Sequence, residues 1–198
     1  MRKLLLLFLT IGLFASSYNL LAQYDPDNEG LRYRNIYGAG MSMGYYNYGS
    51  VGSRSISFPP VTAFIEFGVH ENITVGPFVG FGRWSYRITG ADQFNYTFGH
   101  TNAGGRGSLH LTNFINDLFG SNIDPSRTNY YLTLILGLEY RNYTDVSGSF
   151  GDFYDNTVHL MFGPTAGVRY YLGSYFAVYA EAGRGNLGFV SFGMSLRL

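Results

Sequence analysis

The chain has 198 residues and no cysteine, and its acidic residues balance its Lys and Arg at 13 each. Charged residues make up 13%, about half their share in ordinary soluble domains, while 18 tyrosines, 17 phenylalanines and 27 glycines stand out. This composition excludes a disulfide scaffold, a thiolate metal site and lipid attachment through an N-terminal cysteine; the neutral balance argues against nucleic acid as a partner, and the length is that of one domain.

Met1-Arg2-Lys3, the apolar run Leu4–Ala15 and then Leu20-Leu21-Ala22-Gln23 read as the basic region, hydrophobic region and cleavage site of a secretory signal peptide over residues 1–22. The run is shorter than the roughly 20 residues of a membrane helix, which weighs against the alternative of an uncleaved anchor. Residues 23–34 are then an N-terminal segment, expected in the periplasm, and residues 35–198 a domain built of strands.

In 37–45, Tyr37, Ala39, Met41, Met43 and Tyr45 alternate with Gly38, Gly40, Ser42 and Gly44. Alternation with period two marks a strand with unlike faces. At 61–69, Val61, Ala63, Ile65, Phe67 and Val69 oppose Thr62, Phe64, Glu66 and Gly68. At 73–81, Ile73, Val75, Pro77, Val79 and Phe81 oppose Thr74, Gly76 and Gly80. Past Phe81 the parity switches, with Trp84, Tyr86 and Ile88 apolar and Arg83, Ser85 and Arg87 polar, so a β-bulge is expected near Gly82. A weaker strand at 94–111 sets Ala103, Gly105, Gly107 and Leu109 against Gly104, Arg106, Ser108 and His110. In the connection 112–127, Asn113 can cap a short helix that Gly120 ends. That stretch reads either as one amphipathic turn lying at the inner interface of a membrane or as an ordered loop.

The clearest element runs from Tyr130 to Tyr140, where Leu132, Leu134, Leu136 and Leu138 form one face between two tyrosines. Ten steps of ~3.3 Å, tilted by ~40–45°, span about 25 Å along a membrane normal, the height of an outer-membrane apolar band between its aromatic girdles. Tyr130 and Tyr140 are the expected girdle residues. The strand at 158–170 sets Val158, Leu160, Phe162, Pro164, Ala166, Val168 and Tyr170 against His159, Gly163, Thr165 and Arg169. The last two set Phe176, Val178, Ala180 and Ala182 against Tyr179 and Glu181, then Val190, Phe192, Met194 and Leu196 against Ser191, Gly193, Ser195 and Arg197.

The expected fold is all-β, an eight-stranded antiparallel up-and-down transmembrane β-barrel with both mature termini in the periplasm. A soluble lipocalin barrel turns its bulky apolar side chains inward; here the opposite face is mostly glycine, serine, threonine and isolated charges, which cannot form an apolar core. The inward face collects Glu66, Arg83, Arg106, Glu139, Arg169 and Glu181, with Arg87, Arg141, Arg197, His110 and His159. An eight-stranded bore is just wide enough for its own side chains, and unpaired buried charge is costly. An Arg/Glu network plugging the lumen is therefore expected, with Arg106 at its centre between Glu66 and Glu181 at similar middle-to-inner depth, and with Arg83 and Glu139 higher. The alternative is a narrow or gated channel for small or amphipathic solutes, with the same pairs as its gate.

No catalytic, cofactor-binding or metal-ligating residue is expected. The chain lacks the His-x-Ser of lipid A deacylases and the Asp-Ser of lipid A palmitoyltransferases, and its histidines show no metal-ligand spacing with a carboxylate.

Phe58-Pro59-Pro60 leading into Phe64-Ile65-Glu66-Phe67-Gly68-Val69, then Asn72 to Gly80, Gly105-Arg106-Gly107-Ser108-Leu109-His110 and Gly137-Leu138-Glu139-Tyr140 resemble Bacteroidetes-type small outer-membrane barrel proteins of the OmpA/OmpX-like, porin-family kind. The terminal Leu198 departs from the phenylalanine that ends proteobacterial barrels. The resemblance implies a non-enzymatic structural or surface protein of a Gram-negative outer membrane. Its implied partners are outer-membrane lipid and lipopolysaccharide, the barrel-assembly machinery during biogenesis, and an extracellular ligand at loops 47–57 and 143–156.

Overall fold

A strand satisfies its backbone donors and acceptors only through neighbouring strands, and a closed ring is the arrangement that leaves no edge over. The structure, a computed structural model, describes residue 33 and residues 37–45, 53–88, 94–145, 154–183 and 189–198. The stretch expected as signal peptide and most of the N-terminal segment lie outside the described residues.

The strands are β1 (Tyr37–Tyr45), β2 (Ser53–His70), β3 (Ile73–Ile88), β4 (Phe94–His110), β5 (Thr128–Asp145), β6 (Tyr154–Tyr171), β7 (Phe176–Gly183) and β8 (Val190–Arg197). Each pairs antiparallel with the next, and β1 closes on β8 from Gly38↔Arg197 to Tyr45↔Val190. The fold is thus an eight-stranded antiparallel β-barrel. Helix α1 (Thr112–Phe119) lies between β4 and β5, and no helix among the described residues is long and apolar enough to cross a membrane. Turn 71–72, α1 and connection 172–175 share one end of the barrel with the start of β1 and the end of β8. This is called the terminal end below.

Several strands outrun the alternating stretches that announced them. β2 begins at Ser53, β5 runs to Asp145 and β6 starts at Tyr154. Parts of the connections expected at 47–57 and 143–156 are therefore strand, and what remains of them, 47–52 and 146–153, lies outside the described residues.

An irregularity does fall beside Gly82, but its extra residues are in β2, and the parity switch expected in β3 is a correction. β3 pairs with β4 without a break from Ile73↔Leu109 to Ile88↔Phe94. In the β2–β3 ladder, register shifts lie between Ile56 and Phe58 and between Phe58 and Val61, across from Gly82, where Pro59 and Pro60 have no N–H to give the ladder. A third lies between Gly68 and His70. Parity in β3 therefore continues past Gly82: Arg83 points outward and is exposed, and Trp84 is buried inside the barrel. Arg83 leaves the set of inward charges. Polarity distinguishes the two faces only while the outer one is uniformly apolar. That band ends at Phe81, so at the next outward position an arginine is allowed and the aromatic ring takes the inside.

Inside and outside are reversed relative to a water-soluble domain. Glu66, Arg106, Arg169 and Glu181 are only 2–4% exposed, whereas Leu134, Leu136, Leu138, Leu160 and Phe162 are 50–74% exposed. Tyr130 and Tyr140 are exposed at the two ends of the β5 leucine row. A polypeptide in water does not sort itself this way.

Inward glycines make room for flat-lying rings. Phe64 lies across Gly40, Tyr131 across Gly167 and Tyr179 across Gly193, each ring opposite its glycine in the ladder. A Cβ at Gly167 would come within 2.4 Å of the Tyr131 ring. Gly167→Val should lower stability in urea unfolding from micelles by about 1–3 kcal/mol, the usual cost of overpacking. Gly107→Val, whose Cβ would meet nothing nearer than 3.9 Å, should be close to neutral. Equal losses at both positions would count against ring-on-glycine packing.

Candidate functional site: the barrel lumen

In the half of the lumen towards the terminal end, strands β2, β4, β6 and β7 each contribute one buried charge, as Glu66, Arg106, Arg169 and Glu181. The Arg106 Nη2 donates to Glu181 Oε1 at 2.7 Å, and its Nε lies 3.3 Å from Glu66 Oε1. Arg169 Nη2 donates to the other Glu66 oxygen at 3.1 Å. Two guanidinium and two carboxylate groups thus balance. In a ring of eight, β2 and β6 are opposite strands, so the Glu66–Arg169 pair reaches across the bore.

Hydroxyl groups complete the carboxylates. Ser108 donates to Glu66 at 3.2 Å and Tyr131 to Glu181 at 3.0 Å. The Arg106 guanidinium also stacks 3.8 Å over the Phe64 ring, and Arg169 lies between Tyr131 and Tyr179 at 5.1 and 5.8 Å. The planar fork of arginine suits a place where two carboxylates and an aromatic face must be met together.

Beyond this layer, Phe64, Phe78, Ile135 and Tyr179 form an apolar cluster with Met161 packed against it. Further from the terminal end, His100 Nδ1 bonds Glu139 Oε1, and Arg141 donates to Glu139 Oε2 at 2.8 Å. Trp84 and Phe98 flank the His100 ring at centroid distances of 5.1 and 4.1 Å. Glu139 therefore belongs to a separate group, and is not joined to the Glu66–Arg106–Arg169–Glu181 cluster. His159, opposite Glu139 in the ladder, is exposed. Arg197 reaches the terminal rim, donating to the Ser174 carbonyl at 2.9 Å and stacking on Tyr171 at 4.1 Å.

Tyr33 comes from the segment that sequence places before the barrel. Its ring, 3% exposed, stacks on His110 at 3.6 Å, and its N–H donates to the Glu71 carbonyl at 2.7 Å. His110 is held in turn between Thr74 and Asn129 at 3.1 and 3.0 Å. A cavity of about 10 Å³, roughly one water in size, lies here beside Tyr33, Glu66, Arg169, Tyr171 and Arg197.

Sequence reasoning missed Tyr33, Trp84, His100, Tyr131 and Tyr179. Tyr131 and Tyr179 carried a usable signal, since both fall on the inward parity of their strands. Trp84 was hidden by the false switch at Gly82, and Tyr33 lies on no periodic stretch. Outside the strands, Asp124 accepts hydrogen bonds from the Ser126 hydroxyl and N–H at 2.6 and 2.8 Å, which hold its carboxyl below the usual range. That is a turn-capping role. Among the described residues no three His, Cys, Asp or Glu side chains gather as a metal site would require.

No family model matches this chain, and no curated protein does. Among solved structures, the chain is similar to the N-terminal β-barrel domain of Pseudomonas aeruginosa OprF, at 13% identity over 83% of this chain and 98% of that one, with a TM-score of 0.46. The outer membrane protein OprG of the same organism is 8% identical over 85% and 98%, with a TM-score of 0.49. Ail, the attachment invasion locus protein of Yersinia pestis, is 9% identical over 82% and 91%, with a TM-score of 0.39. At these values the likeness is one of general fold.

Proposed function

We propose that this chain is an integral outer-membrane barrel of a Gram-negative bacterium, non-enzymatic, with a plugged lumen and a structural or surface-interaction role. The observation that carries the reading is the reversal of polarity. An exposed leucine band on a barrel that buries two arginines and two glutamates is stable only if lipid covers the outside. The terminal end, with α1, the start of β1 and the end of β8, then faces the periplasm, and the opposite end of the barrel faces outward. The Bacteroidetes-type affiliation is part of this proposal and rests on the quoted motifs.

The cross-bore pair Glu66–Arg169, the bridge through Arg106 and the Phe64–Ile135 apolar layer support the plugged reading, because an ion would have to break buried pairs and then cross a dry layer. The gated-channel reading has one observation in its favour. Tyr33, from outside the strands, lies at the terminal mouth, where its ring stacks on His110 and its N–H donates to the Glu71 carbonyl. In planar bilayers the mature protein should give no steady conductance. A steady open level would replace the plug with the channel, and a level seen only after deletion of residues 23–34 would make that segment its gate.

A further inference from the structure

Helix α1 is amphipathic in an inverted sense. At about 100° per residue, Phe114, Leu118, Ile115 and Phe119 fall within an arc of about 140°, with Asn113, Asn116 and Asp117 on the other side. The polar side is consumed by the chain itself. Thr112 Oγ1 donates to the Thr128 carbonyl at 3.2 Å and accepts from Tyr130 N–H at 2.9 Å. Asn116 donates to the Ile123 carbonyl at 2.7 Å and accepts from Ile123 N–H and the Ser121 hydroxyl, both at 3.0 Å. These bonds set the roll of the helix about its axis, and the apolar stripe is what they turn outward. Phe114, Leu118 and Phe119 are 60%, 61% and 74% exposed. A helix packed on a water-soluble domain does the opposite.

The stripe continues the outer apolar band of the barrel. α1 begins three residues beyond outward-facing Leu109, and the connection returns to outward-facing Tyr130 and Leu132. On the same end of the barrel, Leu172 and Tyr175 are exposed as well. We propose that α1 docks into the inner leaflet of the membrane that the barrel spans, with Phe114, Ile115, Leu118 and Phe119 inserted about 5–10 Å into the headgroup and upper acyl region. This rests on the membrane reading above. A second copy is the poorer occupant, since four side chains fall short of the roughly 800 Å² per partner that a stable interface uses. Asp117 is the sole charge of α1 and stands on the polar side, so insertion is apolar rather than electrostatic. Docked in this way, α1 holds connection 112–127 against the bilayer and clear of the terminal mouth, and fixes how deep the barrel sits.

The test uses the mature protein in lipid nanodiscs of phosphatidylethanolamine and phosphatidylglycerol, with single tryptophans added as Phe114→Trp, Asn113→Trp and Leu134→Trp. Trp84, buried in the lumen, is a common background. Phe114→Trp should be blue-shifted, shielded from iodide and quenched best by a nitroxide placed high on the acyl chain. Asn113→Trp should remain open to iodide, and neither result should change with salt or with the phosphatidylglycerol fraction. Iodide access at Phe114→Trp overturns the proposal, and so does shielding without nitroxide quenching, which would mean protein covers the helix. Leu134→Trp separates the two levels. If a nitroxide low on the chain quenches it, the barrel is in lipid whatever α1 does; if not, the membrane reading falls too.

Discussion

Arg106→Ala will lower stability in urea unfolding from micelles by about 3–5 kcal/mol, the cost of leaving buried charge unpaired. Arg106 bridges Glu66 and Glu181, and all three are buried. Removing it takes one of two guanidinium partners from Glu66 and the 2.7 Å charge-assisted bond from Glu181. The cavity adds to the loss, because the guanidinium also covers the Phe64 ring. Glu66→Gln, and the double change with Arg106→Ala, complete a cycle. Coupled residues give a double effect well short of the sum, by at least ~0.5 kcal/mol. Simple addition would show that the cluster is not one energetic unit. If Arg106→Ala barely changes stability but opens a conducting level in planar bilayers, Arg106 is a gate and the channel reading replaces the plug.

Leu134→Arg will cost about 2–4 kcal/mol, the price of a cation near the middle of a bilayer on the lipid side of a barrel. Leu134 is half exposed in the middle of the β5 leucine row, so its replacement disturbs little packing inside the protein. Tyr140→Arg, at the end of the same row, should cost only about 0–1 kcal/mol, because an interfacial arginine reaches water. The contrast between the two positions is the measurement that matters. Water outside the barrel would make both changes nearly neutral, and equal large losses would point to protein, not lipid, covering the band.

Much of the architecture could be read along the chain. Strand alternation is a property of neighbours two residues apart, so each of the eight strands announced itself, and the row from Tyr130 to Tyr140 set the height of the apolar band. Which side faces out was legible along the apolar band, where glycine, serine and arginine on one face and leucine on the other admit one arrangement. It failed beyond Phe81, where Arg83 is outside and Trp84 inside. The short helix ended by Gly120 was visible too. Gly120 does adopt the left-handed conformation, at φ 61°, which glycine permits. Asn113 does not cap it. The helix starts at Thr112 after Leu111, because the barrel ladder holds the Thr112 hydroxyl through Tyr130.

What ring closure decided was out of reach of periodicity. Arg106 and Glu181, 75 residues apart, meet as expected, but the pairing of Glu66 with Arg169, 103 residues apart, was not announced along the chain. Whether they meet depends on the accumulated register of every strand between them. A single shift moves a side chain along the bore, and the two shifts around Pro59 and Pro60 lie across from Gly82 but put their extra residues in β2, so β3 keeps its parity. Glu139 lies further from the terminal end than the Glu66–Arg106–Glu181 group, as expected, but its partners are His100 and Arg141 and not Arg83, which points outward. The sequence by itself determined that this chain is a barrel with apolar residues outside and charges within, and it put Arg106 between Glu66 and Glu181. Only the tertiary structure decided that Arg169 reaches across to Glu66 and that Glu139 pairs with His100 and Arg141, because facing is set locally by the pleat whereas depth is set by the register of the whole ring.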